Sequence, residues 1–388
     1  MLALTIPVML LLAWRVLVAG IDVLAERNVA PPDAAAAEAS LRQRLARNPA
    51  DATALLFLAL ELERQGRADE AGAAMRTAVR LAPADPQSLL LVAGYFLRTG
   101  EEAPALTTLR RAVDSSPVEV SDRVWPVFTA ALVAGRHREF FDAVARENPS
   151  WWPGFFHYAC AHAASAGAMQ AVYAARVAAG VATPDERRCL IERLQRDGQW
   201  TAAYLVWLNG LPLEQRQRVG YVFNGDFELP LSNLGFDWRI PVQEGAVVSA
   251  EPGDGVTGQR ALNITFANQR YAAPPVYQYL MLYPGRYRLE GRARSDLDAW
   301  LGLQWGLYCQ EASGRETRQL AHSEPFVRST RWREFQQDFT VPANCPAQVL
   351  RLELANPKQG ANGPGNVAIR LKGKVWFDDL RVRIVDGQ

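Results

Sequence analysis

The plainest chemistry open to this 388-residue chain belongs to its four cysteines, Cys160 and Cys189 in the first half and Cys309 and Cys345 in the second. No pair has the C-x-x-C spacing used by zinc sites and dithiol redox centres. Cys309 follows directly on an expected strand over residues 300–308. Cys345 stands in a turn between Pro342 and Pro346, ahead of an expected strand over 349–354. Both occupy strand-end loops, where disulfide geometry is reachable. A bond between Cys309 and Cys345 closes a loop of ~37 residues, stabilising by about 3–4 kcal/mol on the chain-entropy view, and needs an oxidising compartment. Cys160 and Cys189 are expected to be reduced and buried.

The four histidines offer less. His157 and His162 are spaced i, i+5, which puts them on roughly opposite faces of a helix and argues against a shared metal. His137 and His322 have no acid or nucleophile close by in sequence. There is no G-x-S-x-G, no H-E-x-x-H, and the Gly-rich stretch 360–365 lacks the Lys-Ser/Thr ending of a phosphate loop. No catalytic residue is therefore assigned, and the chain is expected not to be an enzyme. Acids are plentiful, and two carboxylates ~5–10 Å apart suffice for glycoside hydrolysis. A glycan-active hydrolase or lyase using acidic residues stays open as the alternative.

These residues are carried by two kinds of element. In the first half, Leu55, Leu58, Ala59, Leu62, Gly66, Ala71, Met75, Ala78 and Pro83 reappear 34 residues on as Leu89, Val92, Ala93, Phe96, Gly100, Ala105, Leu109, Ala112 and Pro117. Each rung keeps its size class, the mark of stacked helical units that cannot bury their apolar faces alone. The ladder resembles the tetratricopeptide repeat. It degenerates through Val124, Val127, Ala131, Gly135, Phe140 and Val144. It recovers at Phe156, Ala159, Cys160, Ala163, Gly167, Val172, Arg176, Ala179 and Pro184, and shortens at Leu190, Ile191, Leu194, Gly198, Ala203 and Trp207. Such a helical solenoid, over 33–217, implies a groove for a protein partner. Trp151, Trp152, Phe155 and Phe156 form an aromatic knot where the third unit breaks, read either as a groove wall or as filling for an irregular junction.

Ahead of the repeats, residues 1–25 contain an apolar run of ~20 residues, near a bilayer span, interrupted by Arg15. They read as a membrane anchor or signal helix, with the remainder exported to the periplasm. A net charge of +1 and the lack of a basic run interleaved with aromatics argue against nucleic acid.

Residues 219–388 change grammar. Period-2 runs of Val, Tyr, Phe and Trp lie between Gly, Pro and Asn clusters, giving eight expected strands and an antiparallel β-sandwich or jelly roll. Alternation places Arg288, Glu290 and Arg292 on one face of one strand, and Trp300, Gln304 and Tyr308 on one face of another, with Tyr277 and Tyr279 as an extension. Aromatic rings beside forked polar groups suit a sugar, the rings on its C–H faces and the polar groups on its hydroxyls; the same aromatics would also serve to cover a sheet edge or meet the helices. Asn224-Gly225-Asp226-Phe227-Glu228, Gly235-Phe236-Asp237-Trp238, Gly285-Arg286-Tyr287-Arg288-Leu289, Trp332-Arg333-Glu334-Phe335 and Val375-Trp376-Phe377-Asp378-Asp379-Leu380 occur in an order that resembles the galactose-binding-like jelly rolls of carbohydrate-binding modules. The resemblance implies a structural calcium held by Glu228 with Asp378 or Asp379. The alternative is that the paired acids bond turn backbone.

Together these features describe a multidomain α and β protein: a non-catalytic adaptor, anchored at the inner membrane with periplasmic domains, whose repeats bind a protein and whose jelly roll binds glycan or docks in a polysaccharide assembly or export system. A structural protein that binds no sugar is the further alternative. A reporter active only in the periplasm, fused after Gln388, should give signal, and one active only in the cytoplasm should stay silent; the reverse pattern would return Cys309 and Cys345 to thiols.

Overall fold

Short polar side chains set the helix starts. Asp51 accepts a hydrogen bond from Ala54 N at 2.9 Å, and Asp85 accepts one from Ser88 N at 2.9 Å with Pro86 at the first helical turn. The computed structural model describes residues 34–81, 85–242, 244–270, 275–298, 302–311, 316–355 and 370–385. The helices are α1 (Ala34–Arg47), α2 (Ala52–Arg64), α3 (Ala68–Leu81), α4 (Pro86–Arg98), α5 (Glu102–Ser115), α6 (Pro117–Ala134), α7 (Arg138–Glu147), α8 (Trp152–His162), α9 (Ala166–Ala178), α10 (Pro184–Arg196), α11 (Trp200–Asn209) and α12 (Leu213–Gln217). Among them none is long and apolar enough to cross a membrane; the segment 1–25 and Pro83 lie outside the described residues.

The chain divides into two compact units between Glu186 and Arg187. In the first, the periodic residues form the core. Leu58, Ala59, Leu62, Ala71, Met75 and Ala78 are buried, as are their counterparts Val92, Ala93, Phe96, Ala105, Leu109 and Ala112, while Leu55 is half-buried. Trp151, Trp152, Phe155 and Phe156 are all buried too. The ring of Trp151 lies 5.5 Å from that of Trp125, and Phe155 lies 5.7 Å from Phe128. The knot fills the junction left by a shortened unit and presents no wall to a partner.

One rung of the ladder is a charge. Arg176 stands where the other units place Met75, Leu109 or Val144, and it is fully buried. Its guanidinium donates to Glu186 Oε2 at 2.9 Å, to the carbonyls of Ala145 and Val181 at 2.8 Å each, and to Asn148 Oδ1 at 2.9 Å, and it lies over the Trp152 ring. Glu186 in turn belongs to a capping box: it accepts from Thr183 N at 3.1 Å while its own N–H donates to Thr183 Oγ1 at 3.2 Å. The charge is tolerated because each of its three nitrogens donates to an acceptor and a carboxylate lies beside it.

The second unit joins the remainder of α10, α11 and α12 to nine antiparallel strands: β1 (Ala246–Glu251), β2 (Ala261–Arg270), β3 (Tyr277–Leu280), β4 (Gly285–Ser295), β5 (Leu303–Gln310), β6 (Glu316–His322), β7 (Ser329–Val341), β8 (Ala347–Leu354) and β9 (Arg370–Ile384). The final helices thus pack with the strands; Trp200 donates to the Glu311 carbonyl at 3.1 Å. A five-stranded sheet, β1-β2-β9-β4-β7, faces a four-stranded one, β3-β8-β5-β6. Between them Leu289, Phe335, Phe377, Leu262 and Ile264 of the first sheet meet Leu303, Trp305, Leu307 and Leu352 of the second. The strand absent from the sequence reading is β6. It is an edge strand with one neighbour, and its Arg, Gln and His residues hide the alternation that marks a covered strand.

The two segments that made the β half recognisable meet. Leu380 N donates to the Gly225 carbonyl at 2.8 Å, and a Cβ on Gly225 would fall 1.9 Å from the Leu380 carbonyl oxygen. Cys309 and Cys345 form the expected disulfide, with Cα atoms 5.5 Å apart. Neither Cys160, buried, nor Cys189, half-buried, belongs to a disulfide.

Replacing Arg176 by Ala should destabilise the chain by about 3–5 kcal/mol, because Glu186 is left charged and buried. Combining Arg176→Met with Glu186→Gln, which preserves the capping box, should recover most of that loss. Urea unfolding followed by far-UV circular dichroism measures both; equal losses in the two variants would show that the ion pair itself matters little.

Candidate functional site

The side chains expected to gather on one surface stand on opposite outer faces of the sandwich. Arg288, Glu290 and Arg292 project from β4, outside the five-stranded sheet; Gln304 and Tyr308 project from β5 and Tyr277 and Tyr279 from β3, outside the four-stranded sheet. Trp300 lies outside the described residues. Alternation along a strand fixes which residues share a face, but not which sheet the strand joins.

The face of the four-stranded sheet is occupied by its own contacts. The Tyr308 hydroxyl donates to Glu353 Oε1 at 2.6 Å, Gln304 donates to the same oxygen at 3.3 Å, and Arg351 Nε donates to Glu353 Oε2 at 2.8 Å. The Arg351 guanidinium lies 4.0 Å above the Tyr308 ring. Trp200 of α11 packs on Tyr279 at 5.1 Å, and Tyr279 packs on Tyr277 at 5.4 Å. These aromatics meet the helices, the second of the two roles open to them in the sequence.

The face of the five-stranded sheet is open and charged. Arg288 pairs with Asp338 across β4 and β7 at 2.5 Å, Glu290 with Arg383 across β4 and β9 at 3.3 Å, and Arg381 with Asp379 at 2.9 Å. Between these pairs runs a groove of about 620 Å³, lined by Glu290, Arg292, Glu334, Gln336, Asp379 and Arg381 among others. The side chains of Glu334 and Gln336 of β7 are exposed and make no hydrogen bond or ion pair among the described residues. They are the polar groups left over for a ligand. No sequence pattern singles them out as site residues, although Glu334 sits in the Trp332–Phe335 segment and Gln336 follows in the same outward phase.

The acids expected to hold calcium fasten a loop. Glu228 Oε1 accepts from Gln259 N at 2.7 Å and Arg260 N at 2.9 Å, and Asp378 Oδ2 accepts from Thr257 N at 2.7 Å. Asp378 Oδ1 takes Asp379 N at 2.8 Å, and Asp379 pairs with Arg381. Arg292 reaches into the same loop: it donates to Thr257 Oγ1 at 2.6 Å and the Gly255 carbonyl at 2.9 Å, stacks on Trp332, and lies 3.8 Å from Asp378 Oδ2. The carboxylates thus face N–H donors and a guanidinium rather than a shell of oxygens, and this donor set does not fit a hard cation. Among the described residues no three His, Cys, Asp or Glu side chains converge as a metal site. Burial raises the Asp378 carboxyl above the usual range.

The histidines do not cluster: three stand on helices or loops of the first unit, and His322 ends β6, where its Nδ1 bonds the Ser323 carbonyl at 3.2 Å. His162 stacks on Tyr158 at 4.1 Å, His157 is exposed, and His137 bonds Glu102 at 2.7 Å.

The C-terminal half resembles the jelly-roll folds of carbohydrate-binding modules. A structure described as "CBM4 structure and function" aligns over 42% of this chain and 99% of its own, at 18% identity and a TM-score of 0.30. The CBM22-1 xylan-binding domain of Paenibacillus barcinonensis Xyn10C aligns over 42% of this chain and 94% of its own, at 14% identity and a TM-score of 0.30. TmCBM61, solved with β-1,4-galactotriose, aligns over 43% and 99%, at 15% identity and a TM-score of 0.28. No family model and no curated protein matches the chain.

Burial, and then the bond to Glu353, push the Tyr308 hydroxyl up to about 12. The folded protein therefore holds this proton at a pH where the unfolded chain has lost it. Stability from Tyr308 is complete below pH ~10 and falls as pH rises towards 12. Alkaline denaturation should lose about 2 kcal/mol across that window, and Tyr308→Phe should flatten the slope; an unchanged slope in the variant would show that another group titrates.

Proposed function

We propose that the chain is a non-catalytic glycan-binding adaptor. The observation that carries the reading is the groove on the five-stranded sheet. Its ion pairs hold guanidinium forks and carboxylates in fixed positions, and Glu334 and Gln336 offer acceptors and an amide that no side chain or backbone group among the described residues uses. A polyhydroxylated ligand needs this alternation of donors and acceptors, and a rigid site spares it the entropy of ordering them. The carbohydrate-binding-module-like fold of this half supports the same reading. The periodic helical half, proposed here as a tetratricopeptide-like solenoid, supplies a protein-binding arm. The Cys309–Cys345 bond suits an exported protein, and an anchored periplasmic role in polysaccharide assembly or export is the setting proposed.

Titration calorimetry of the full chain against a panel of bacterial polysaccharides tests the reading. Binding should weaken at least tenfold in Glu334→Ala and Gln336→Ala, both exposed positions whose loss leaves the core intact, and EDTA should leave it unchanged. Affinity indifferent to both substitutions would remove the groove from the account, and turnover of any polysaccharide would favour the glycan-active enzyme instead.

A further inference from the structure

A second cavity, of about 670 Å³, opens within the strand-rich unit between α11, the segment that follows α12, the end of β3 and the turn that carries Cys345. It contrasts with the groove in one decisive respect: among the described residues that line it, none is charged. The rings of Tyr204, Tyr221, Tyr279, Tyr283 and Phe236 form much of its wall. Tyr204 lies 5.1 Å from Phe236, and Tyr221 and Tyr283 are exposed.

The walls are fixed from behind. Buried Gln278 both donates to and accepts from the Phe223 backbone, at 2.8 and 3.0 Å. Buried Gln348 accepts from Leu282 N at 2.9 Å and donates to the Cys345 carbonyl at 3.1 Å, while the disulfide ties Cys345 to β5. The hydroxyls of Thr201, Tyr204 and Tyr221, by contrast, make no hydrogen bond among the described residues. A preformed aromatic cradle with unused hydroxyls and no charge has a narrow chemistry. It repels ions for want of a counter-charge, and it offers a purely hydrocarbon ligand polar groups that would be buried unpaired.

We infer that this cavity binds a short uncharged saccharide, its ring C–H faces stacked on the tyrosines and its hydroxyls taking the unused phenol and threonine groups. The inference extends the glycan reading to a second site whose α11 wall lies outside the β-sandwich, and the two sites fail separately.

The test uses the full chain, oxidised, with cellotriose, maltotriose and mannotriose as probes, each titrated to about 10 mM, a weak but measurable range. Fluorescence of Trp207, which lines the cavity, and calorimetry report binding. At least one trisaccharide should bind, with a tenfold or greater loss in Tyr204→Ala and in Tyr221→Ala and a smaller loss in Tyr204→Phe. Glu334→Ala, in the groove, should change this binding by less than twofold. Tyr221 is partly exposed, so its variant stays informative if Tyr204→Ala misfolds. Three outcomes overturn the inference: no trisaccharide binds, binding survives both tyrosine-to-alanine substitutions, or decanoate occupies the cavity while the sugars do not.

Discussion

Strand β5 is buried from end to end, and the functional geometry follows from that constraint. One of its faces, Leu303, Trp305, Leu307 and Cys309, is the core of the sandwich. The other, Gln304, Gly306 and Tyr308, is polar yet also covered, so its groups must find partners inside the protein. Glu353 meets this need by accepting from Tyr308 and Gln304 while holding Arg351. Gly306 makes room for the arrangement, since a Cβ there would stand 2.6 Å from the Glu353 carboxylate and from the Tyr308 ring. The part of the sheet sealed in this way, around β5 and β8, leaves its polar groups no capacity for a ligand. The two sites proposed for recognition lie elsewhere, outside the other sheet and at the margin where α11 stops covering β3.

The opposite sheet solves a different problem. Its outer face meets water, and Arg288 stands directly across from Asp338, Glu290 from Arg381 and Arg292 from Glu334, an arrangement that stabilises each pair modestly, while Arg383, set opposite Arg288, turns diagonally to Glu290. The loop before β2 is clasped on this same face by Arg292, Asp378 and Glu228. Arg292 therefore belongs to the groove and to the clasp at once, which makes it a poor choice for mutating one without the other.

Much of this was legible in the sequence. The 34-residue period marked out residues that proved to be core, and the bond between Cys309 and Cys345 forms as expected, although Cys309 lies within β5 rather than in a loop after it. The order of the Asn224–Glu228 and Val375–Leu380 segments predicted the sandwich, because their contact is made by backbone and needs glycine at 225. Less legible was anything that depends on which strand sits beside which. Strand alternation correctly grouped Gln304 with Tyr308 and Arg288 with Glu290 and Arg292, yet no local pattern places β4 and β5 in different sheets. Edge strand β6 carried too few apolar residues to be seen. The helices that cover Tyr279 could not be foreseen either, since Trp200 and Tyr279 are 79 positions apart. Arg176 reads in the sequence as one rung of the recovered ladder, and its ion pair was not legible because Glu186 belongs to the next helix cap rather than to the ladder.

That exchange of an apolar rung for a charge also constrains how the protein can drift. In the other units a hydrophobic rung can be traded for a neighbour of similar volume in one step. At position 176 any single replacement strands Glu186, and any single loss at 186 strands the guanidinium. Both intermediates are burdened, so the pair changes together or stays. The fourth unit is thereby the one that cannot be swapped for a copy of its neighbours: a recombination event that inserted a duplicated repeat there would import an apolar residue opposite a cap that expects a cation. A device that looks local fixes the position of this unit in the array.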